Sequence, residues 1–185
     1  MKTAWERFEN WLKENWVKGF EDLNPPATDQ EILALQETIG VQLPAEFVAC
    51  LKVHNGQRNM AGGLFDNSNF LSTQAVIDDW QCWKDLLDSG VFKNPSEPEA
   101  GVKDDWWNPK WIPFANNNSD QYCIDLDPTD AGRLGQVITM WHDTSEREIL
   151  AESFGSWFEQ YVSAVLSGRY KYSEDFGGLI DADYA

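Results

Sequence analysis

Apolar residues recur every three or four positions in MKTAWERFENWLKENW, where Trp5, Phe8, Leu12 and Trp16 share one side and Glu6, Glu9, Lys13 and Glu14 lie between them. This spacing predicts an amphipathic helix with a buried aromatic stripe, ending near Gly19. LNPPAT interrupts it, and Thr28 with Glu31 then forms the reciprocal cap of a second helix that carries Ile32, Leu35 and Ile39 and closes at Gly40. In VQLPAEFVACLKVHNGQ, Pro44 suits a first helical position, Phe47, Cys50 and Leu51 face inward, and Asn55-Gly56 supplies a left-handed stop. Three short helices are thus expected to open the chain. Asn55 to Asn69 reads as turns around a short strand, MAGGLF. Ser72 can cap a longer helix in which Val76, Trp80, Trp83 and Leu87 form one stripe, Asp78, Asp79 and Asp85 stay wet, and Gly90 ends the run.

NPSEPEAGVKDDWWNPK has no period and is expected to be a long surface excursion. From Trp111 the period becomes two: WIPFA, QYCIDL, GQVITMWH and REILA, each separated by turn-forming residues, predict an antiparallel meander. SFGSWFEQYVSAVLSG then returns to helical spacing, with Ser153 as cap, Phe154, Trp157, Phe158, Tyr161 and Val165 on one side, and Gly168 as the stop. The remaining residues carry scattered aromatics and no period. Helices, then consecutive strands, then a helix imply an α+β fold, with the sheet covered by N-terminal and C-terminal helices on one face. The expected organisation is a helix and linker over 1–27, the main body over 28–168 and a tail over 169–185. A length of 185 residues suits a single domain.

Charge narrows the function more than length does. Against 14 Lys and Arg stand 31 Asp and Glu, a formal net charge of −17. Such a surface repels nucleic acid and anionic lipid and steers toward basic proteins, although acidity also serves plain solubility. Cys50, Cys82 and Cys123 are widely spaced and form no CxxC pair, so they read as small core residues in a reducing compartment. The N-terminus has no apolar leader and no later run is long enough to span a membrane, so a cytoplasmic location is expected.

Candidate chemistry is thin. A calcium loop beginning at Asp125 would need Gly at its sixth position and Glu at its twelfth, where Asp130 and Gln136 stand. Alternation instead places Asp125 opposite a Tyr122, Ile124 and Leu126 stripe, while Asp127-Pro128-Thr129-Asp130 has turn chemistry. His54 lies near a helix end, where a structural role is expected, and His142 has only Asp143 beside it, poorly placed to orient its ring. No nucleophile elbow, HExxH, phosphate loop or dinucleotide turn is present, so no catalytic residue, metal or cofactor is assigned. Trp5, Trp16, Trp80, Trp83, Trp141 and Trp157 fall on core stripes. Trp106 and Trp107 follow Asp104 and Asp105 in the irregular stretch: either the pair is exposed as an anchor for a partner, or Trp107 folds back onto the sheet.

Three stretches in order, LPAEFVACLKVHNGQ, WIPFANNNSDQYCIDLDPTDAGRLGQVITMWHD and SFGSWFEQYV, resemble the SMI1/KNR4 family, also called the SUKH superfamily. The matching positions are Leu43, Pro44, Phe47, Asn55 and Gly56, then Trp111, Ile112, Pro113, Ala115, Asp120, Tyr122, Asp125, Asp127, Pro128, Gly135, Gln136 and Val137, then Ser153, Phe154 and Phe158. The resemblance covers about Thr28 to Leu166. It departs at Ser119, where the family commonly has Gly, and at the insertion between Gly90 and Trp107. It implies an α+β fold with a mixed or antiparallel sheet, and a binding function. Bacterial single-domain members are regarded mainly as immunity proteins that neutralise toxin domains, many of them nucleases, and fungal members as regulators linked to cell-wall synthesis.

The expectation drawn from both lines is an immunity-type protein that binds a basic toxin domain, with a regulatory scaffold as the alternative and a cryptic hydrolase behind both. Acids would replace the toxin's phosphate ligands and set the association rate, and aromatics would set the lifetime. Candidate partner-binding residues are Asp104, Asp105, Trp106, Trp107, Asp120, Asp125, Asp127 and Asp143. No nucleic-acid or membrane partner is expected.

Overall fold

A computed structural model describes residues 1–184. In chain order the elements are α1 (Lys2–Asn15), α2 (Val17–Glu21), α3 (Asp29–Ile39), α4 (Ala45–Leu51), β1 (Asn69–Phe70), α5 (Thr73–Asp88), β2 (Glu97–Pro98), β3 (Trp111–Asn117), β4 (Asp120–Asp125), β5 (Gln136–Met140), β6 (Glu146–Arg147), β7 (Ile149–Ala151), α6 (Phe154–Leu166), β8 (Tyr170–Ser173) and β9 (Gly178–Asp181). The fold is α+β. Four helices precede the first strand instead of three, because the expected first helix breaks at Trp16, which leaves the helical region at φ −152. A Cβ on Gly19 would lie 2.3 Å from the Trp16 ring, so the bare backbone of Gly19 gives the indole room to fold over α2.

The capping signals act as read. Thr28 and Glu31 bond each other's backbone in both directions, Gly40 stops α3 at φ 70, and the side chains of Ser72 and Ser153 accept from Ala75 and Ser156 N–H. Asn55-Gly56 has a different role from the stop assigned to it, since α4 ends at Leu51. The Asn55 side chain accepts from Thr73 N–H at 2.8 Å and donates to Thr73 Oγ1 at 3.2 Å, tying this loop to the start of α5. Gly56, at φ 71, passes so close to α5 that a Cβ would come within 2.3 Å of Ser72 N.

The sheet has the order β1-β3-β4-β5-β7 and is antiparallel throughout, the meander expected from the period-two stretch. Its first strand is Asn69–Phe70 and not MAGGLF. Gly62 and Gly63 instead run beside Gly177 and Gly178, where a Cβ on Gly62 would fall 1.5 Å from the Gly177 carbonyl oxygen, a spacing only glycine permits. That contact docks the β8-β9 hairpin, formed by the tail that showed no period. The excursion is also tied down: β2 pairs parallel with β6, and Trp80 Nε1 donates to the Pro109 carbonyl at 2.7 Å.

The sheet is covered on both faces, not on one. Every residue of β5 and the first five of β3 are buried, and WIPFA and QVITM are near-continuous apolar runs of the kind two-sided burial requires. One face carries Phe114, which meets Trp157 and Phe154 of α6 at ring centroid distances of 4.6 and 5.1 Å. On the other face Asp79 of α5 accepts from Asn116 and Gln121. α1 packs on α6 through Trp5 and Phe158, 4.9 Å apart. Cys50 and Cys123 are core residues as expected, and burial pushes the Cys50 thiol up to about 12. Cys82 is exposed on the wet side of α5, a correction to its placement in the core.

Candidate functional site

A cavity of about 360 Å³ lies where the α6-covered face of the sheet emerges beside the β8-β9 hairpin. Its wall is a chain of rings. Trp141 meets Tyr122 at 5.8 Å, Tyr122 meets Trp157 at 6.0 Å, Trp157 meets Tyr161 at 5.6 Å and Tyr161 meets Tyr170 at 4.8 Å. Sequence spacing explains the convergence. Tyr122 and Thr139 are cross-strand partners, so alternation brings Tyr122, Thr139 and Trp141 to one face. Trp157 and Tyr161 are four residues apart on the α6 face that looks back at them.

Asp66 and Glu148 add carboxylates to this lining. Asp66 is held by a tight turn in which Phe65 and Ser68 exchange both backbone hydrogen bonds and Asp66 and Asn67 take φ 48 and 61. Left-handed geometry at both central residues is the hairpin turn that Asp and Asn tolerate best after Gly. The turn is pinned from outside: Tyr161 Oη accepts from Asp66 N–H and donates to the Leu64 carbonyl at 2.8 Å, and Asn67 N–H donates to Leu179. Burial pushes the Asp66 carboxyl above the usual range. Burial likewise pushes the phenols of Tyr122 and Tyr161 up, so they stay neutral donors. Arg169 also lines the cavity, with its guanidinium 5.8 Å from the Tyr170 ring centre and its Nε donating to Asp181 at 3.0 Å.

The candidate partner residues divide into two groups at opposite ends of β4. At its start Asp120 accepts from both the backbone N–H and Nδ1 of His142, and this hydrogen bond raises the imidazole above its ordinary value of 6.5. Asp120, not Asp143, therefore orients the ring. Asp143 completes a trio with ligand atoms within 4.8 Å of one another, His142 and Asp143 being exposed. The described residues bring no fourth ligand, so the trio lacks the closed shell of a structural zinc site.

At the other end of β4 two corrections are needed. Asp125 is fully buried, accepting from Asp127 N–H at 2.8 Å and Gln136 Nε2 at 2.9 Å, and burial raises its carboxyl. It locks β4 to β5 and contributes no negative surface. Trp107 is 2% exposed, between Trp80 and Trp83 at 6.1 and 6.4 Å, so it folds back as a core residue and cannot anchor a partner. Trp106 is half-buried under Arg147, whose guanidinium lies 5.4 Å from the ring centre and donates to the Trp106 carbonyl. Asp105 accepts from Asn108, and Asp127 is held by Lys103 at 2.7 Å and Lys110 at 3.6 Å, leaving Asp104 as the exposed acid of this end. Trp141, expected in the core, is half-buried at the cavity.

The motif residues shared with the family are scaffold. Leu43, Phe47, Trp111 and Pro113 are buried. Pro44 caps α4, and Gly135 N–H donates to the Asp125 carbonyl at 2.8 Å beside the Gln136 contact. Sequence reasoning missed Asp66, Glu148, Arg169 and Tyr170, and it read Tyr122, Trp157 and Tyr161 only as interior stripes. The usable signal was Asp66-Asn67, a dipeptide suited to two left-handed residues inside a segment already read as turns.

An antiparallel meander clad by helices, with a concave site walled by aromatic rings, defines an α+β fold. The SMI1 / KNR4 family (SUKH-1) profile matches residues 26–160, and the chain belongs to that family. It is similar to the glucan synthesis regulatory protein of Neurospora crassa, 22% identical over 215 residues that take in 96% of this chain and 40% of the relative. Against the cell wall assembly regulator SMI1 of Saccharomyces cerevisiae the identity is 22%, over 97% of this chain and 43% of the relative. Against F-box only protein 3 of Homo sapiens it is 22%, over 95% and 36%. The chain thus spans about two fifths of these relatives' length.

Proposed function

We propose that the chain is a regulatory protein-protein binding module that holds a basic partner against its acidic surface, with the aromatic cavity at the centre of the contact. The observation that carries this reading is the run of five rings closing on Asp66 in a chain of net charge −17. Aromatic groups in a recess favour burial by a partner, and the surrounding charge favours a basic one. The Neurospora and yeast relatives are named as regulators of glucan synthesis and cell wall assembly, which supports the regulatory form. Because the shared part is a fraction of each relative, what is carried over is the role of a module. The test is affinity capture by the full chain from its own cells, followed by affinity measurements with the purified partner at two salt concentrations. A basic partner whose binding weakens with salt and with Trp141→Ala supports the proposal; binding indifferent to both refutes it.

A second reading, neutralisation of a basic toxin domain, is favoured by the same charge, since a domain that grips phosphates must be basic. Co-purification with a toxin domain encoded beside the gene, with loss of its toxicity, would select this reading. Capture of several cellular proteins would select the regulatory one.

A further inference from the structure

We infer that the cavity between α6, the sheet and the β8-β9 hairpin is a receptor for a single organic cation, the side chain of an arginine or lysine on the partner. The inference deepens the proposed function and rests on it. Three observations converge. The wall is lined by aromatic rings, whose quadrupoles attract a cation desolvated among them. The volume, about 360 Å³, is at the lower end of the range for sites that accept a small molecule, enough for one long side chain. The floor holds a carboxylate whose charge is poorly compensated within the chain.

Comparison with the other sunken acids makes the third point. Asp79 accepts from the amides of both Asn116 and Gln121, and Asp125 from Gln136 and from Asp127 N–H. Asp66 accepts from Asp181 N–H, at 3.3 Å, and from the Tyr122 hydroxyl, but no side-chain amide among the described residues reaches it, and the cation that acts on it, Arg169, is committed to Asp181. A left-handed backbone and a sunken, under-compensated charge are each costly, and such costs persist where a ligand repays them. Arg169, lying over Tyr170 at the edge, already shows that these rings accept a guanidinium. Glu148, exposed on the sheet side of the cavity, supplies a second charge where an incoming ammonium or guanidinium would pass. A protein-borne side chain is favoured over a free metabolite because the recess is open and shares its strand ends with Asp120 and Asp143.

The test uses n-butylguanidinium, n-butylammonium and neutral n-butanol as side-chain probes, titrated into the full chain while the indole N–H signals of Trp141 and Trp157 are followed by NMR. Both cations should shift these signals saturably and the alcohol should not. Asp66→Asn, chosen because Asn tolerates the left-handed turn, should weaken cation binding about tenfold, and Glu148→Gln, at an exposed position, about threefold. A stronger response to the guanidinium assigns arginine, and a stronger response to the ammonium assigns lysine; either supports the inference. Equal binding of the alcohol, or unchanged cation binding in the Asp66→Asn, Glu148→Gln double variant, overturns it. A partner that binds wild type and Trp141→Ala equally tightly and salt-sensitively overturns the cation receptor and leaves an acidic binding module. Partner binding that ignores both salt and Trp141→Ala defeats that module itself.

Discussion

Trp107 and Trp141 provide a paired experiment on which aromatic residues hold the fold and which serve its surface. Trp107 is 2% exposed and wedged between two other indoles, so Trp107→Ala removes a whole ring from the interior. Burying an aromatic of this size removes roughly 150–250 Å² from water at about 25 cal/mol per Å², and truncations of this kind cost about 3–5 kcal/mol. Near about 4 kcal/mol the midpoint should fall by about 8–16 °C for a chain of this size. Its indole N–H has no partner among the described residues, so Trp107→Phe sacrifices no hydrogen bond there and should cost about 1–2 kcal/mol. Trp141 is half-buried and touches mainly Tyr122, so Trp141→Ala should cost about 1 kcal/mol while abolishing the probe response. Urea and thermal unfolding of the three variants, with the butylguanidinium titration on each, read both axes. A Trp107→Ala protein that loses under about 1.5 kcal/mol, or that stays stable yet loses partner binding, would refute the reasoning.

Other outcomes follow from individual residues. Asn118 and Ser119 take φ 50 and 77 in the β3-β4 turn, so Ser119→Gly should raise stability by about 0.5–1 kcal/mol in urea unfolding, and a loss would contradict the turn geometry. Asp120→Asn should return the His142 imidazole toward 6.5, because it removes the hydrogen bond that raises it; an NMR titration with an unchanged midpoint would exclude that cause. For pH, Asp66, Asp79 and Asp125 are raised by burial, so the folded state holds more protons than the unfolded one in the window above 3.8, and stability there grows as pH falls. His142, also raised, contributes stability present below 6.5 and lost as pH rises through its folded value. Asp127 and Glu31 are held low and lose their contribution only below the ordinary carboxylate range. Unfolding at low salt should therefore give maximum stability on the acid side of neutrality, with added salt most stabilising near about pH 8; a maximum at alkaline pH would contradict these signs.

Local chemistry was legible where one residue type has one local use. The Thr28-Glu31 box, the Ser72 and Ser153 caps and the period-two meander each depend on neighbours a few positions away, and each forms as read. Features that depend on distant backbone were not. Gly62 reads as part of the short strand MAGGLF, yet its use is to admit Gly177 from more than a hundred positions downstream. WIPFA and QVITM contained the signal for two-sided burial, but alternation was weighted above continuity. Asp125 looked like surface acid because its neighbours alternate, and only Gln136 across the ladder shows that both faces are interior. The cavity was hidden for the same reason: Tyr122, Trp157 and Tyr161 obey core periodicity, and nothing within a helix or a strand says where a core stripe runs out into solvent.

The cost carried by Asp66 leads to a prediction that separates a binding residue from a structural one. If Asp66 were there for the turn, Asn would serve it as well, since both tolerate φ 48 and both can accept from Asp181 N–H. If it is there for a cation, the empty protein bears a charge that burial disfavours and little offsets, and neutralising it relieves the fold. Asp66→Asn should then stabilise the unliganded chain by about 0.5–1 kcal/mol near neutral pH while weakening the cation response, the opposed pair of effects seen where function is maintained against stability. The sign can be checked a second way. The folded Asp66 carboxyl is raised, so wild-type stability should gain on Asp66→Asn as pH falls toward 3.8, closing the gap between them. Urea unfolding of both proteins at several pH values measures this directly. An Asp66→Asn variant no more stable than wild type near neutral pH would show that the carboxylate costs the fold nothing, and would remove the strongest reason for placing a cation in the cavity.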